Sequence, residues 1–448
     1  MSRIFALTFS LAISVLAGCL DGSDSNDKKQ DADFSYPPSD CFWQIQITPS
    51  LSGDQNYGWP DLNTAYWGAV YTLPEDGLYV SVESKFPFAR YMAYSNYYAL
   101  GGTISTLIDK DISPGSGSIN PFVPGNPRND PSRIYPVTIR KIGDSSDENE
   151  NVLYGADVLA LLIYRVYLPV SGTDATGDGG LPRVALHMND GSVIQGEEAC
   201  EALNFPISAD DRKVEWYTED EYAGYRESQD PAQNPAKFRA TYNFEFHKQC
   251  DFGLFCNSVP DISLKYPFPD PHYLYSFISR KHGEVLALRG KLPKTPHTYS
   301  GEDNVFTEGE LRYWSLCNYE YFSQKAEDCA FDERVIINDD GFYTIVVSRE
   351  SDKPTNATAE CGVTYLSWSE NGDGFGIIDG RENYSDDGFL VFRNILPAHT
   401  FTGVAPSPDT LDQEDSMGGY LPRARYFSKA EFEGLGCNPW LALPYHDI

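Results

Sequence analysis

The chain has 448 residues and a formal net charge of −31, with 65 acidic against 34 basic residues. The basic residues form no run, and this argues against nucleic acid as a partner, because phosphate binding needs clustered Lys and Arg side chains. Aromatic residues make up 14% of the chain, and 37 Gly and 30 Pro supply turns, which favours a mainly β structure. The length is sufficient for two domains with full cores.

The N-terminus predicts a signal peptide over residues 1–18. Arg3 precedes the apolar run 4–16, IFALTFSLAISVL, which is too short to span a membrane comfortably, and the motif LAGC follows at 16–19. LAGC resembles the bacterial lipobox, and this resemblance implies that Cys19 becomes the lipidated first residue of the mature protein, with palmitate among its acyl chains. An ordinary secretion signal with a chance cysteine is the alternative.

Residues 19–40 are polar and charged, and they show no apolar period. Such a segment cannot bury apolar surface, so we expect a flexible tether that holds the folded part off the membrane. By resemblance to the sorting rule of Gram-negative lipoproteins, Leu20 in place of Asp implies delivery to the outer membrane.

Two stretches separated by roughly two hundred residues match in a fixed order, which indicates two related units. GLYVSVESKFPFARYMAYSNY begins at Gly77, and its counterpart reads GEVLALRGKLP from Gly283 and LRYWSLCNY from Leu311. The apolar strand LALLIYRVYLP, from Leu159, recurs as FLVFRNILP, from Phe389. We therefore predict two tandem, internally duplicated β-sandwich domains over 41–209 and 238–448, with a connector over 210–237. The long loop 113–133 is expected to be functional or disordered.

The order of signals in each unit resembles that of secreted bacterial two-domain β-proteins classed only as domains of unknown function. The second unit carries the better match, in LRYWSLCNY, DDGFYTIVVS and FLVFRNILP. The resemblance implies jelly-roll-like β-sandwiches packed side by side, and it brings no catalytic residues with it.

Apart from Cys19, eight cysteines remain, and an even set in an exported chain predicts disulfides. Spacing alone does not give the connectivity. Our prediction keeps each bridge within one unit and takes the pairs to be Cys41 with Cys200, Cys250 with Cys256, Cys317 with Cys329, and Cys361 with Cys437. A metal cluster is the alternative, although the sequence has no CxxC.

Arg165 and Arg393 lie at matching places on apolar strand faces, where an arginine is costly unless it is paired. One interpretation is a buried ion pair, for which Asp109 and Asp332 stand at matching places in the two units. The other is that each guanidinium lines a cavity and binds an anionic or polyol ligand.

Two further sets of residues could bind a ligand or a metal. Tyr91 and Trp314, beside the repeated strand, could stack on sugar rings, although core packing explains them as well. Asp174, Thr176 and Asp178 place oxygens at alternate positions before a Gly, as calcium loops do, although a solvated turn has the same composition. Calcium is therefore a possible cofactor.

No HExxH, GxSxG, P-loop or GxGxxG motif is present, so the sequence leaves open whether the chain is an enzyme. The leading hypothesis is a cell-envelope lipoprotein that binds an extracellular ligand such as a glycan. The alternatives are an extracellular hydrolase or metal-dependent enzyme with a site between the domains, and a structural envelope component.

Overall fold

The computed structural model of the chain describes residues 40–47, 58–99, 102–146, 150–206, 232–240, 270–321, 323–372, 374, 384–404 and 416–443. The predicted signal peptide, nearly all of the tether, most of the predicted connector, Cys19, Cys250 and Cys256 lie outside these residues. Within them, no helix combines the length and the apolar character that crossing a membrane requires.

The described chain is mainly β, as predicted, with four sheets in a two-domain-like arrangement. In the first unit, one sheet has the strand order β1-β2-β8-β4-β5 and the other β10-β9-β3-β6-β7. These elements are β1 (Ile45–Ile47), β2 (Thr64–Tyr71), β3 (Gly77–Lys85), β4 (Ala89–Tyr98), β5 (Thr103–Ile108), β6 (Ile134–Arg140), β7 (Val152–Tyr154), β8 (Ala160–Pro169), β9 (Arg183–Met188), β10 (Val193–Gln195) and the helix α1 (Glu197–Leu203).

In the second unit, the sheets have the orders β11-β12-β18-β14-β15 and β17-β16-β13-β19. Their elements are β11 (Arg239–Ala240), β12 (Pro271–Ser279), β13 (Val285–Lys291), β14 (Leu311–Tyr319), β15 (Ala326–Phe331), β16 (Phe342–Ser348), β17 (Thr364–Ser367), β18 (Asp387–Pro397), β19 (Arg423–Phe427) and the helix α2 (Lys429–Glu433).

Apart from β10, which has no counterpart among the described strands of the second unit, the two units share one strand order, and the matches read from the sequence fall on equivalent strands. Arg165 of β8 lies opposite Ala93 of β4, and Arg393 of β18 lies opposite Ser315 of β14. In both units an edge strand runs parallel to its neighbour: β7 is parallel to β6, and β17 is parallel to β16. The domain limits 41–209 and 238–448 stay a prediction, since the residues between the units are largely outside the described ranges.

Period-two alternation explains why these segments form strands with one buried face. In β3, Val80 and Val82 are buried against the facing sheet, while Tyr79 and Ser81, which alternate with them, remain partly exposed. The first core lies between the two sheets of its unit and contains stacked aromatic rings, with Trp67 and Tyr164 centred 5.6 Å apart.

Three of the four predicted disulfides are present in the described residues: Cys41–Cys200, Cys317–Cys329 and Cys361–Cys437. The fourth, Cys250–Cys256, lies outside those residues and stays a prediction. Three disulfides indicate an oxidising compartment.

The loop 113–133 is ordered, and part of it fastens the first unit to the second. The Gly125 N–H donates to the Phe306 carbonyl at 3.0 Å, and the Phe306 N–H donates back to Asn126 at 3.1 Å. The Phe306 ring enters the core of the first unit beside Phe122. This loop therefore works as a clasp between the units.

Two reciprocal ion pairs join the units through buried groups. Arg90 of the first unit holds Asp332 of the second at 3.0 Å, and Arg312 of the second holds Asp109 of the first at 3.0 Å. The Met92 N–H also donates to Asp109. Burial raises the pKa of Asp109 to about 6, although Arg312 and this N–H act in the opposite direction.

The reciprocal pairs correct one sequence-based interpretation. Asp109 and Asp332 were expected as partners of Arg165 and Arg393 within each unit. They instead bind Arg312 and Arg90 across the two units. The expectation was wrong because matching positions in the sequence do not reveal that the partner comes from the other unit.

We expect the long-range bridge to stabilise the fold most. Replacing Cys41 and Cys200 together with Ala should lower the free energy of unfolding by about 5 kcal/mol in the chain-entropy model, because they are 159 residues apart. The same change at Cys317 and Cys329, 12 residues apart, should cost about 3 kcal/mol. Guanidinium unfolding measures both. Non-reducing peptide mapping that found other pairings would contradict the structure.

Arg312→Met should lower the free energy of unfolding by roughly 3 to 5 kcal/mol, because it leaves the buried Asp109 without its cation. The matched control is Arg183→Met, which breaks the exposed pair with Glu83 and should cost at most about 1 kcal/mol. Equal losses for the two variants in denaturant unfolding would show that the inter-unit pair does not carry this stability.

Candidate functional site

Arg165 and Arg393 are both buried between the two units, with exposed fractions of 7% and 2%. The Arg165 guanidinium donates to the hydroxyls of Ser95 at 2.8 Å and Tyr97 at 2.7 Å. Arg393 donates to the equivalent hydroxyl, that of Tyr319, at 2.8 Å, and also to a backbone carbonyl of the first unit. Protein groups therefore satisfy much of the hydrogen-bonding capacity of both guanidinium groups.

Tyr91 and Trp314 have fully buried rings. The Tyr91 hydroxyl donates to Asp270 of the second unit at 2.6 Å, and the equivalent hydroxyl of Tyr313 donates to Asp61 of the first at 3.0 Å. Trp314 packs edge-on against Phe392 in the second core. In this arrangement, both rings pack against protein groups.

The loop with Asp174, Thr176 and Asp178 is held by its own hydrogen bonds. One carboxylate oxygen of Asp174 accepts the N–H groups of Thr176 at 2.8 Å and Asp178 at 3.0 Å, and the Thr176 hydroxyl as well. The Thr176 hydroxyl in turn accepts the Gly180 N–H at 2.9 Å. These contacts use oxygens that the sequence suggested for calcium.

Within the described residues, Asp61, Cys317 and Cys329 form a group of potential metal ligands, with atoms inside 4.8 Å of one another. The two sulfurs are joined as a disulfide, so neither is a thiolate. Asp61 accepts hydrogen bonds from Tyr313 and Ser315. The group therefore serves the contact between the units.

A different region has the features of a binding surface: the outer face of the sheet β10-β9-β3-β6-β7. Tyr79 of β3 and His187 of β9 lie opposite each other, with ring centroids 4.2 Å apart and planes inclined by 15°. The Ser81 hydroxyl lies 2.8 Å from the His187 Nε2 atom. All three side chains are partly exposed.

Strand β6 extends this surface with two more polar side chains. Thr138 lies opposite Ser81, and the Arg140 guanidinium lies 5.4 Å from the Tyr79 ring centroid. Glu150 accepts hydrogen bonds from Arg140 at 2.7 and 3.0 Å, which fixes the guanidinium in place. We call Tyr79, Ser81, Thr138, Arg140 and His187 the Tyr79 face.

The second unit has apolar residues at the equivalent positions. If Lys85 of β3 is matched with Lys291 of β13, the counterparts of Tyr79, Ser81, Thr138 and His187 are Val285, Ala287, Val346 and Phe427. All four are buried in one cluster with Phe432 of α2 and Ala442. The same sheet face is thus covered in the second unit and polar and partly exposed in the first.

Burial lowers the pKa of His187 below its usual value of 6.5. The imidazole is therefore neutral at pH 7, with one ring nitrogen a donor and the other an acceptor. The face combines an aromatic platform, two hydroxyls, a neutral imidazole and a fixed guanidinium, a set that exchanges hydrogen bonds with a polyhydroxylated ligand.

The sequence contained part of the signal for this face. Alternation along β3 places Tyr79 and Ser81 on one side of the strand, away from Val80 and Val82. His187 is separated from Tyr79 by 108 positions, and only the pairing of β3 with β9 brings the two rings together.

No family model and no curated protein matches the chain. Among solved structures, it is similar to a putative uncharacterized protein from Burkholderia cenocepacia, with a TM-score of 0.45 and 13% identity over 90% of this chain and 85% of that one. It is also similar to the VPA0106 protein from Vibrio parahaemolyticus, with a TM-score of 0.39 and 8% identity over 84% of this chain and 92% of that one. These similarities are too low to carry an argument about function.

Proposed function

We propose that this chain is an exported, lipid-anchored envelope protein that binds an extracellular glycan on the Tyr79 face. The observation that carries the proposal is the difference between the two units. Equivalent positions hold a buried apolar cluster in one unit, and a partly exposed stacked pair with polar neighbours in the other.

The chemistry of the face suits a sugar. A pyranose ring has an apolar C–H surface that can stack on an aromatic side chain, and hydroxyls at its rim that exchange hydrogen bonds. The exposed part of the Tyr79 ring, which lies between His187 and Arg140, supplies the apolar contact, while Ser81, Thr138 and the neutral His187 supply the hydrogen bonds.

The close contact between Ser81 and His187 also has the form of a nucleophile with its base, which is the observation that favours a hydrolase. Among the described residues, however, no carboxylate is hydrogen-bonded to the His187 ring, which instead stacks on the Tyr79 ring. A hydrolase of this type needs a third group to orient the imidazole. We therefore place binding first and hydrolysis second.

The cellular location of the protein is proposed from its N-terminal sequence and its disulfides. The lipobox-like LAGC makes Cys19 the attachment point for acyl chains, and the disulfides agree with an oxidising compartment outside the cytoplasm. Leu20 after the lipidated cysteine favours the outer membrane.

Tyr79→Ala should weaken the binding of the best oligosaccharide in a panel of neutral and acidic glycans about tenfold, because it removes the aromatic contact and the ring against which His187 is stacked. Calorimetric titration measures the affinity. Binding should be insensitive to EDTA, since no metal takes part in the proposed contacts. The matched control is Tyr98→Ala, which removes another exposed tyrosine of the same unit and should leave the affinity unchanged.

Two results would contradict the glycan proposal. One is a panel without any binder, and the other is a binder whose affinity ignores Tyr79→Ala. Labelling of Ser81 by a fluorophosphonate, lost in Ser81→Ala, would favour the hydrolase instead.

Cys19→Ser should move the protein from the membrane fraction to the soluble fraction of washed cells, because the acyl chains provide nearly all of the membrane affinity. Fractionation with immunoblotting measures the distribution, and mass spectrometry of the wild-type N-terminal peptide should show acylated Cys19. An unmodified Cys19 would exclude the anchor.

A further inference from the structure

We propose that one end of the first unit rests on the bilayer that carries the lipid anchor. The inference depends on the anchored location proposed above, and it adds an interaction surface and an orientation. The surface consists of large apolar side chains that are 37% to 49% exposed, and we call it the tether-side rim: Leu78, Tyr98, Ile142, Leu159, Val193 and Phe205.

The members of the tether-side rim come from loops and strand ends that meet at one end of the sandwich. Tyr98 ends β4 beside the start of β8, where the Ala99 N–H donates to the Leu159 carbonyl at 3.1 Å. Phe205 lies beside the end of β2, because its N–H donates to the Val70 carbonyl at 2.8 Å.

The facing sheet contributes the other members at the same end. Leu78 lies at the start of β3, and Val193 lies across β9 from it, since His187 pairs with both Val193 and Tyr79. Ile142 follows β6, and its N–H donates to Asp157, two residues before Leu159, at 2.8 Å. Six of the eleven exposed large apolar residues in the described chain thus lie at one end of one unit.

The N-terminal segment enters the fold at this same end. Strand β1 runs antiparallel to β2 with Ile45 opposite Gly68, so the residues before β1 lie near the end of β2. The Gln44 side chain donates to the Phe205 carbonyl at 3.1 Å, and Cys41 is bridged to Cys200 of α1. The tether therefore leaves the folded part directly beside the rim.

The length of the tether keeps the rim close to the membrane. If the tether predicted over residues 19–40 is taken as a random coil, its root-mean-square span would be roughly 25 Å, which is less than the length of a sandwich domain. An anchor at Cys19 consequently holds the tether-side end nearest to the bilayer. Exposed apolar side chains at that distance can insert into the interface, where affinity grows with the apolar area they bury.

The charge of the chain indicates which interaction would hold the tether-side rim on the bilayer. A net charge of −31 gives no attraction to anionic lipid headgroups, and acidic residues such as Asp76, Asp157 and Asp190 lie near the rim. Apolar insertion is therefore the proposed contact. Its strength should be unchanged or increased by salt, whereas an electrostatic contact would weaken.

The test places a fluorescent reporter on the rim of the full lipidated chain. Leu159→Trp and Phe205→Trp are each reconstituted in phosphatidylethanolamine–phosphatidylcholine vesicles with brominated acyl chains, which quench tryptophan at short range. We expect at least a twofold loss of the added fluorescence relative to unbrominated vesicles. The matched control is Ile337→Trp, a site on the second unit that is at least as exposed as the two rim positions, and it should not be quenched.

A second measurement removes the anchor. In the Cys19→Ser background, Leu159→Ser with Phe205→Ser should reduce co-flotation with excess vesicles about tenfold, while Val305→Ser with Ile337→Ser should not change it. Unquenched reporters on the rim, or co-flotation indifferent to the rim variants, would overturn the proposal. Concentration-dependent self-association lost in the rim variants would instead assign the surface to a second copy, and this also overturns it.

The two proposals fail separately. An unmodified Cys19 in the mass spectrum would exclude the lipid anchor, and with it the premise of the orientation. Acylated Cys19 together with unquenched reporters would leave the anchor in place and exclude the rim.

Discussion

The exchange of buried charges between the two units is the constraint on which the rest of the structure depends. Each unit supplies one arginine and one aspartate, and each arginine binds the aspartate of the other unit. A charge in such a site is costly to leave alone, so neither unit satisfies its own buried groups when separated. Hydroxyls repeat the pattern, with Tyr91 donating to Asp270 and Tyr313 to Asp61.

This mutual dependence explains several features that could otherwise be taken for a ligand site. The buried arginines, tyrosines and acids form a polar layer between two sheet faces whose apolar residues also pack together, among them Tyr167 and Ile395. The clasp around Phe306 adds backbone hydrogen bonds at the edge of the same contact. In the resulting two-unit arrangement, the outer face of the sheet β10-β9-β3-β6-β7 in the first unit stays partly exposed, whereas the equivalent face of the second unit is covered.

The two units differ most where they no longer face each other. The C-terminal segment with α2 packs over the outer sheet face of the second unit and buries Val285, Val346 and Phe427. The corresponding face of the first unit has Tyr79, Thr138 and His187, which remain partly exposed. A shared strand order thus supports a packing role in one copy and an accessible polar face in the other. The tether-side rim would set that copy nearest to the membrane.

The sequence by itself determined the features that depend on neighbouring residues or on the internal repeat. Period-two alternation is a property of neighbouring residues, so the strands around Val80, Val82 and Leu161 could be predicted, and the fixed order of matches predicted equivalent strands in two units. The even cysteine count predicted disulfides and the repeat favoured bridges within one unit, and the three bridges found in the described residues are among the pairs predicted on that basis. Only the tertiary structure decided which of the repeated arginines binds which of the repeated aspartates. Because an arginine and an aspartate recur at matching positions in both units, they could pair within a unit or across units, and the packing of the folded sheets decides between these. The stacking of Tyr79 on His187 likewise depends on the pairing of β3 with β9.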